Sequence, residues 1–226
     1  MWTRTAASPA CSETVRRLKV FLSAILAGLV IAIGGTAFLS LESKIAGALF
    51  FTVGLFAICT MGLHLFTGKV CYAPKENGAY ALDLPFIWLG NLAGACLTAL
   101  AERLTRVGPA LAERAQVLCD AKLSDSLLSI FLLAMFCNML IFIAVDGYKE
   151  NPHPVGKYLA IFFGVTVFIV CGFEHCVANM YYFSVAGVWS WRTLGYLAVM
   201  TAGNAVGGMA FFLAKTAVKA PSKGET

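Results

Sequence analysis

The chain has 226 residues, of which 59% are hydrophobic and only 13% charged, roughly half the charged share of an ordinary soluble domain. That balance excludes a water-soluble globule, and it excludes a disordered chain, which needs few apolar residues and a high net charge. The formal charge of +5, from 17 basic and 12 acidic side chains, is scattered through ends and loops and forms no basic run that could track phosphates, so nucleic acid is excluded as a partner.

A tract of ~20 apolar residues crosses the hydrocarbon core of a bilayer, where an ionised side chain costs kilocalories. Six tracts meet that condition. Residues 20–41 contain no Asp, Glu, Lys or Arg; 45–68 are interrupted only by His64; 84–101 and 126–145 are uncharged; 158–191 contain only Glu174; and 193–214 are uncharged. The segment 1–19 carries Arg4, Arg16, Arg17 and Lys19 without a small-residue cleavage site, and reads as a retained cytoplasmic segment. Six spans return the chain to the same side, so both termini, including the tail 220–226, are expected in the cytoplasm, where most of the Lys and Arg then fall. The outer loop, residues 102–125, runs against that trend with Arg103, Arg106, Arg114 and Lys122. The eight cysteines include no CxxC pair, and several lie in apolar tracts, so they read as reduced packing residues; neither disulfides nor a metal site is expected.

Two tracts have the wrong length for one plain helix. Residues 158–191 would make a helix of ~50 Å, against a hydrocarbon thickness of ~30 Å. Near their middle sits Gly172-Phe173-Glu174-His175-Cys176-Val177-Ala178-Asn179, a polar cluster at membrane depth. A broken span satisfies both facts, because irregular backbone is tolerated there only against protein or water. The second tract is interrupted similarly, with Leu63-His64-Leu65-Phe66-Thr67-Gly68-Lys69 preceded by Gly62. Each interruption is followed by a span with a Gly-Asn pair, Gly90-Asn91 and Gly203-Asn204, half a chain length apart. A duplicated three-span unit follows, and because three is odd the second copy is inverted. The expected architecture is an all-α integral membrane protein with six helices in an inverted three-plus-three repeat, the second and fifth spans broken. It is one transmembrane domain, with the first repeat at 20–113 and the second at 114–219. Paired broken spans put a site at the bilayer midplane, with half-helix N-termini that favour an anion.

Glu174 and His175 are the sharpest candidates, since buried ionisable groups in a membrane must pair, hydrogen-bond or face water. Two readings stand: Glu174 holds the loop with His175 merely buried, or Glu174 holds the loop while His175 faces a pore. His64, near the cytoplasmic end of its span, reads either as interfacial or as part of the path. Asn91, Asn138 and Asn204 read singly as interhelical glue; with Thr67, Asn179 and His175 they could wet a chamber. Lys122 reads as a solvated head, and Phe51, Leu55, Phe66 and Phe168 as ordinary apolar packing.

The chain resembles the formate/nitrite transporter family of small monovalent anion carriers across all six tracts. The resemblance rests on the motif from Gly172 to Met180, on Leu65-Phe66-Thr67-Gly68, and on the two Gly-Asn pairs. It implies an aquaporin-like protomer with its own pore, five protomers to an assembly, in a bacterial inner membrane. It also implies a chamber at His175 and Thr67 lined by Asn138 and Asn204, an anion-attracting Lys122, and apolar constrictions at Phe51, Leu55, Phe66, Ile141 and Phe168. His64 and Lys69 depart from the family's usual residues at the loop and could tune selectivity or gating. The implied solute is formate, nitrite or hydrosulfide, or its conjugate acid, with protons as a partner through His175, and no catalytic residue or cofactor. A neutral-solute pore of aquaporin or ammonia type is the alternative; the paired Asn-Pro-Ala boxes of an aquaporin are missing, the one Asn-Pro being Asn151-Pro152. A metal or redox enzyme is disfavoured because His64, His153 and His175 have no helical pair spacing.

Overall fold

The computed structural model describes residues 9–219. The segments 1–8 and 220–226, with Arg4 and Lys223, and the side chains of residues 9–12 lie outside the described residues, so the expectations placed there are not addressed. The described chain is all helical: α1 (Pro9–Ser40), α2 (Lys44–Met61), α3 (Phe66–Val70), a 3₁₀ turn (Ala73–Lys75), α4 (Gly78–Arg103), α5 (Gly108–Ser124), α6 (Leu127–Glu150), α7 (Pro154–Val170), α8 (Cys176–Ala186) and α9 (Trp191–Lys219). Several helix starts follow local capping chemistry: Ser43, Asn77 and Ser126 accept hydrogen bonds from the backbone N–H groups of Ala46, Tyr80 and Ser129.

Among the described residues, five helices are long and apolar enough to cross a membrane: the stretch Glu13–Ser40 of α1, with α2, α4, α6 and α9. The apolar helix α7, at 17 residues, is shorter. Large hydrophobics such as Leu26, Phe50, Phe56, Leu97, Leu128 and Phe163 face outward, as an apolar solvent or neighbouring protomer requires.

α1 packs against α2 and α4, and α6 packs against α7 and α9. Small residues bring these helices together: a Cβ on Gly94 of α4 would collide with the Ile25 carbonyl of α1, and one on Gly207 of α9 with the Met135 carbonyl of α6. α2 stops at Gly62, which adopts φ 70° and lets the Gly62 and Leu63 N–H groups bond back to the Ile58 carbonyl. α7 ends in the same way at Gly172, with φ 71°, and the Phe173 N–H bonds the Phe168 carbonyl. A Cβ at either glycine would meet no neighbour within 4 Å; what these positions require is the left-handed conformation itself.

Two findings differ from the sequence reading. The expected outer loop 102–125 contains α5, a 17-residue helix packed on α8 that buries Leu111, Ala115 and Cys119. Trp191, placed at the end of the fifth tract, is the first residue of α9, after a turn opened by Gly187 at φ 78°.

The ends of the bundle can be followed through side chains. Arg16 near the start of α1 pairs with Asp83 near the start of α4, Tyr80 donates to the Lys69 carbonyl, and Lys215 near the end of α9 pairs with Asp146 of α6. Both described chain ends therefore lie at one end, the termini end. Lys44 at the start of α2 and Lys122 in the last turn of α5 line one cavity at the other end.

Candidate transport site

The two interrupted segments meet at the N-terminal ends of α3 and α8. Each junction is held by one buried asparagine. Asn91 accepts from the Phe66 N–H at 2.8 Å and donates to the carbonyls of Ala24 at 2.8 Å and His64 at 3.0 Å. Asn204 accepts from the Cys176 N–H at 2.9 Å and donates to the carbonyls of Ala134 at 2.7 Å and Glu174 at 2.8 Å. The partners correspond: Ala24 with Ala134, Gly62 with Gly172, His64 with Glu174 and Phe66 with Cys176 are separated by one constant sequence interval. These amides satisfy groups that the helix ends leave open, and all their polar atoms are committed, to the loops and to one carbonyl each of α1 and α6.

Thr67 of α3 and His175, which caps α8, face each other with Thr67 Oγ1 to His175 Nε2 at 2.8 Å. The Ala178 N–H donates to His175 Nδ1 at 3.0 Å. A backbone amide can only donate, so Nδ1 carries no hydrogen; the neutral ring has its proton on Nε2 and donates to Thr67 Oγ1. Phe168 stacks on the imidazole with 5.7 Å between ring centres and an interplanar angle of 19°, and Phe51 meets Phe168 edge-on at 6.1 Å. Asn138 donates to the Thr67 carbonyl at 3.1 Å. The Oδ1 atoms of Asn138 and Asn179 are buried acceptors with no donor among the described residues.

Glu174 turns away from the imidazole. Its carboxylate, with a side chain only 4% exposed, accepts from Lys122 Nζ at 2.7 and 2.6 Å and from Asn179 Nδ2 at 2.8 Å. The ammonium at Lys122 is thus neutralised by a buried partner.

Two cavities approach this centre from opposite ends. One of 100 Å³ lies at the α5 end and is bounded by Phe51, Phe168, His175 and Asn179 together with Lys44 and Lys122. The other, of 280 Å³, lies at the termini end and is bounded by Leu55, Leu65, Gly68, Lys69, Tyr148 and Lys149. Phe51 and Leu55, one turn apart on α2, separate them. Of the residues singled out in the sequence, Thr67, His175, Asn138, Phe51, Phe168 and Leu55 come together here. Phe66 and Ile141 are buried but line neither cavity. His64 is turned to α1, where Ser23 Oγ lies 3.2 Å from Nδ1. The sequence reading passed over Leu65, Lys44 and Lys149; Leu65 stood in the quoted motif beside Phe66, and only the fold puts it beside Leu55.

Residues 4–217 match the profile of the formate/nitrite transporter family. The chain belongs to the formate/nitrite transporter family. This family member is 30% identical over 235 residues to the probable formate transporter of Methanothermobacter thermautotrophicus, with 85% of each chain covered. It is 31% identical over 184 residues to the uncharacterized transporter YrhG of Bacillus subtilis, covering 75% of this chain and 69% of that one. It shares its fold with a pentameric formate channel solved with formate bound, at a TM-score of 0.76 and 24% identity, over 90% of this chain and 97% of that one. Among the described residues, no group of three or more His, Cys, Asp or Glu is placed to hold a metal ion.

Proposed function

We propose that this protein carries a small monovalent weak-acid anion, such as formate, nitrite or hydrosulfide, across a membrane through a pore in each protomer of a homopentamer. In this reading there are six spans in an inverted three-plus-three repeat. α2 with α3 makes the second span, α7 with α8 the fifth, and both termini lie on the cytoplasmic side of a bacterial inner membrane. The chain is one transporter domain, with the first repeat at 20–113 and the second at 114–219. The observation that carries the proposal is a pair of cavities, one at each end: the α5-end cavity reaches His175, which is hydrogen-bonded to Thr67, and the termini-end cavity is bounded by Leu55 and Leu65, with apolar side chains closing the path between them.

A bare anion crossing Phe51, Phe168, Leu55 and Leu65 would lose its hydration against groups that cannot replace it, at several kilocalories per ion. The protonated acid avoids that cost. The capped geometry of His175 supports a particular division of labour. Its Nε2–H can donate a hydrogen bond to a substrate oxygen or sulfur, but it cannot give up the proton without forming an imidazolate. A second proton could enter only at Nδ1, by breaking the bond from Ala178, and Glu174, the nearest carboxylate in sequence, is already paired with Lys122. The proton therefore arrives on the substrate, and His175 guides it through a hydrogen bond. Asn138 and Asn179, each with an open acceptor oxygen, can receive the acid's O–H or a water.

Proteoliposome flux of formate, nitrite and hydrosulfide over a pH series tests this. Uptake should rise on acidification, and the midpoint should move with the acidity of each substrate. One midpoint shared by all three would mean that a protein group supplies the proton, and absence of flux for every anion would reject the proposed transport.

A further inference from the structure

The constant interval that relates the two junctions also exposes a chemical difference between them. Glu174 corresponds to His64, and Asn179 to Lys69. On the α5 side the carboxylate, Asn179 and Lys122 form a closed, neutral set. On the termini side the same backbone positions carry an imidazole and an ammonium and no acid. His64 is engaged with Ser23, whereas the Lys69 side chain lines the 280 Å³ cavity.

A second lysine, Lys149 of α6, lines the same cavity; its Nζ lies 4.1 Å from the ring centre of Tyr72, in the adjoining cleft that also holds Asp146 and Glu150. No Asp or Glu is among the lining residues. Of the acids nearest by, Asp83 is held by Arg16 and Asp146 by Lys215, and Glu76 and Glu150 are exposed at the surface. Two ammonium groups thus share a cleft whose other walls include Leu55, Ile58, Leu65 and Val145. Apolar walls of low dielectric concentrate the field of like charges and raise the local concentration of the opposite ion.

We propose that this cleft is an anion-binding antechamber, with Lys69 and Lys149 as its two donors, and that it makes the pore asymmetric. Small monovalent anions collect at the termini end, where two ammonium groups share the cleft; at the other end Lys122 is neutralised by Glu174 and Lys44 is the one remaining lysine in the cavity lining. The effect on transport rests on the proposed anion transport; the binding of anions in the cleft does not.

Cysteines already in the chain report on it. Cys59 lines the cleft and Cys171 is exposed beside Gly172 at the α5 end. In purified full-length protein, labelling by an anionic and by a cationic methanethiosulfonate reagent is followed at each cysteine by peptide mass spectrometry. The anionic-to-cationic rate ratio should be about tenfold higher at Cys59 than at Cys171, formate should slow anionic labelling of Cys59, and K69N/K149Q should bring the Cys59 ratio down to that of Cys171. Equal ratios in the unaltered protein, or a Cys59 ratio unmoved by the double substitution, would overturn the proposal. In oriented proteoliposomes, K69N/K149Q should raise the half-saturating formate concentration from the termini side only; an equal shift from both sides would also overturn it. A normal labelling pattern in a protein that moves no anion would uphold the antechamber and reject the proposed transport.

Discussion

The pair formed by Lys122 and Glu174 makes the sharpest single test, because two roles for Lys122 predict different results. The Glu174 side chain is 4% exposed and the Lys122 side chain 15%. Replacing Lys122 with Met leaves a buried carboxylate with one remaining side-chain donor, Asn179 at 2.8 Å. Breaking a buried pair by removing one partner costs about 3–5 kcal/mol, because the other charge is left uncompensated. For a chain of this size that corresponds to a fall of roughly 6–20 °C in Tm. Replacing both partners, K122M/E174Q, removes the stranded charge and should recover most of the loss. Thermal unfolding in detergent, followed by tryptophan fluorescence, measures the stability, and formate flux on the same preparations measures transport. If Lys122 acts chiefly as the counter-ion of Glu174, the double variant regains both stability and flux. If Lys122 acts as an anion attractor, the double variant regains stability but not flux. A K122M protein that melts with the unaltered one would refute the argument from burial altogether.

Further outcomes follow from the junctions. G62A and G172A should each cost about 1–2 kcal/mol, since an L side chain in the left-handed region is strained even where space is open; G172N should cost less, and thermal melts read both. N91A and N204A should each be more damaging than either glycine change, at about 2–5 kcal/mol, because each leaves a buried N–H and a loop carbonyl unpaired, again read by melting. T67V leaves the Nε2–H of His175 without its acceptor and should destabilise by about 1–3 kcal/mol and reduce flux; H175F should lower flux further while keeping an aromatic ring beside Phe168, as stopped-flow uptake would report.

How much of this was legible in the sequence depended on whether a feature was local. Gly62 and Gly172 announced the interruptions because a left-handed turn is a requirement of single residues, and Gly90-Asn91 and Gly203-Asn204 stood out as a matched pair because they recur half a chain length apart. What the asparagines bond was hidden: their partners on α1 and α6 are far away in sequence, and the match of Ala24 with Ala134 emerges only in three dimensions. α5 was read as loop because its burial comes from α8, a neighbour that no periodicity within 108–124 could reveal. The Lys122–Glu174 bond joins two elements 52 residues apart, so a lysine that reads as solvated is instead the half-buried counter-ion of a buried carboxylate. Leu65 and Phe66 exchange importance for a similar reason: adjacent positions at the start of a helix point in different directions, and only the packing of α2 decides which of them meets Leu55.

The two halves solve one backbone problem in one way and then diverge in chemistry. Ending one helix and starting the next in a buried loop leaves open N–H and carbonyl groups, and the remedy is the same at both junctions: a left-handed glycine closes the preceding helix and an asparagine from a neighbouring helix ties the loop. Because that remedy uses only Gly62, Asn91, Gly172 and Asn204, the loop side chains are free to differ. Leu65 on one side lies where His175 lies on the other, so only one imidazole reaches the centre; His64 lies where Glu174 lies, so only one loop carries a carboxylate. A symmetric scaffold can thereby hold a path whose two approaches differ in charge. Exchanging His64 for Glu alters the approach without touching the scaffold, and the Asn91 hydrogen bond to the residue-64 carbonyl, being a backbone contact, should survive it. H64E gives up one part-buried hydrogen bond to Ser23 and should therefore cost no more than about 1.5 kcal/mol, while weakening anion uptake from the termini side. A large loss of stability would show that the residue-64 side chain, through Ser23, belongs to the scaffold after all.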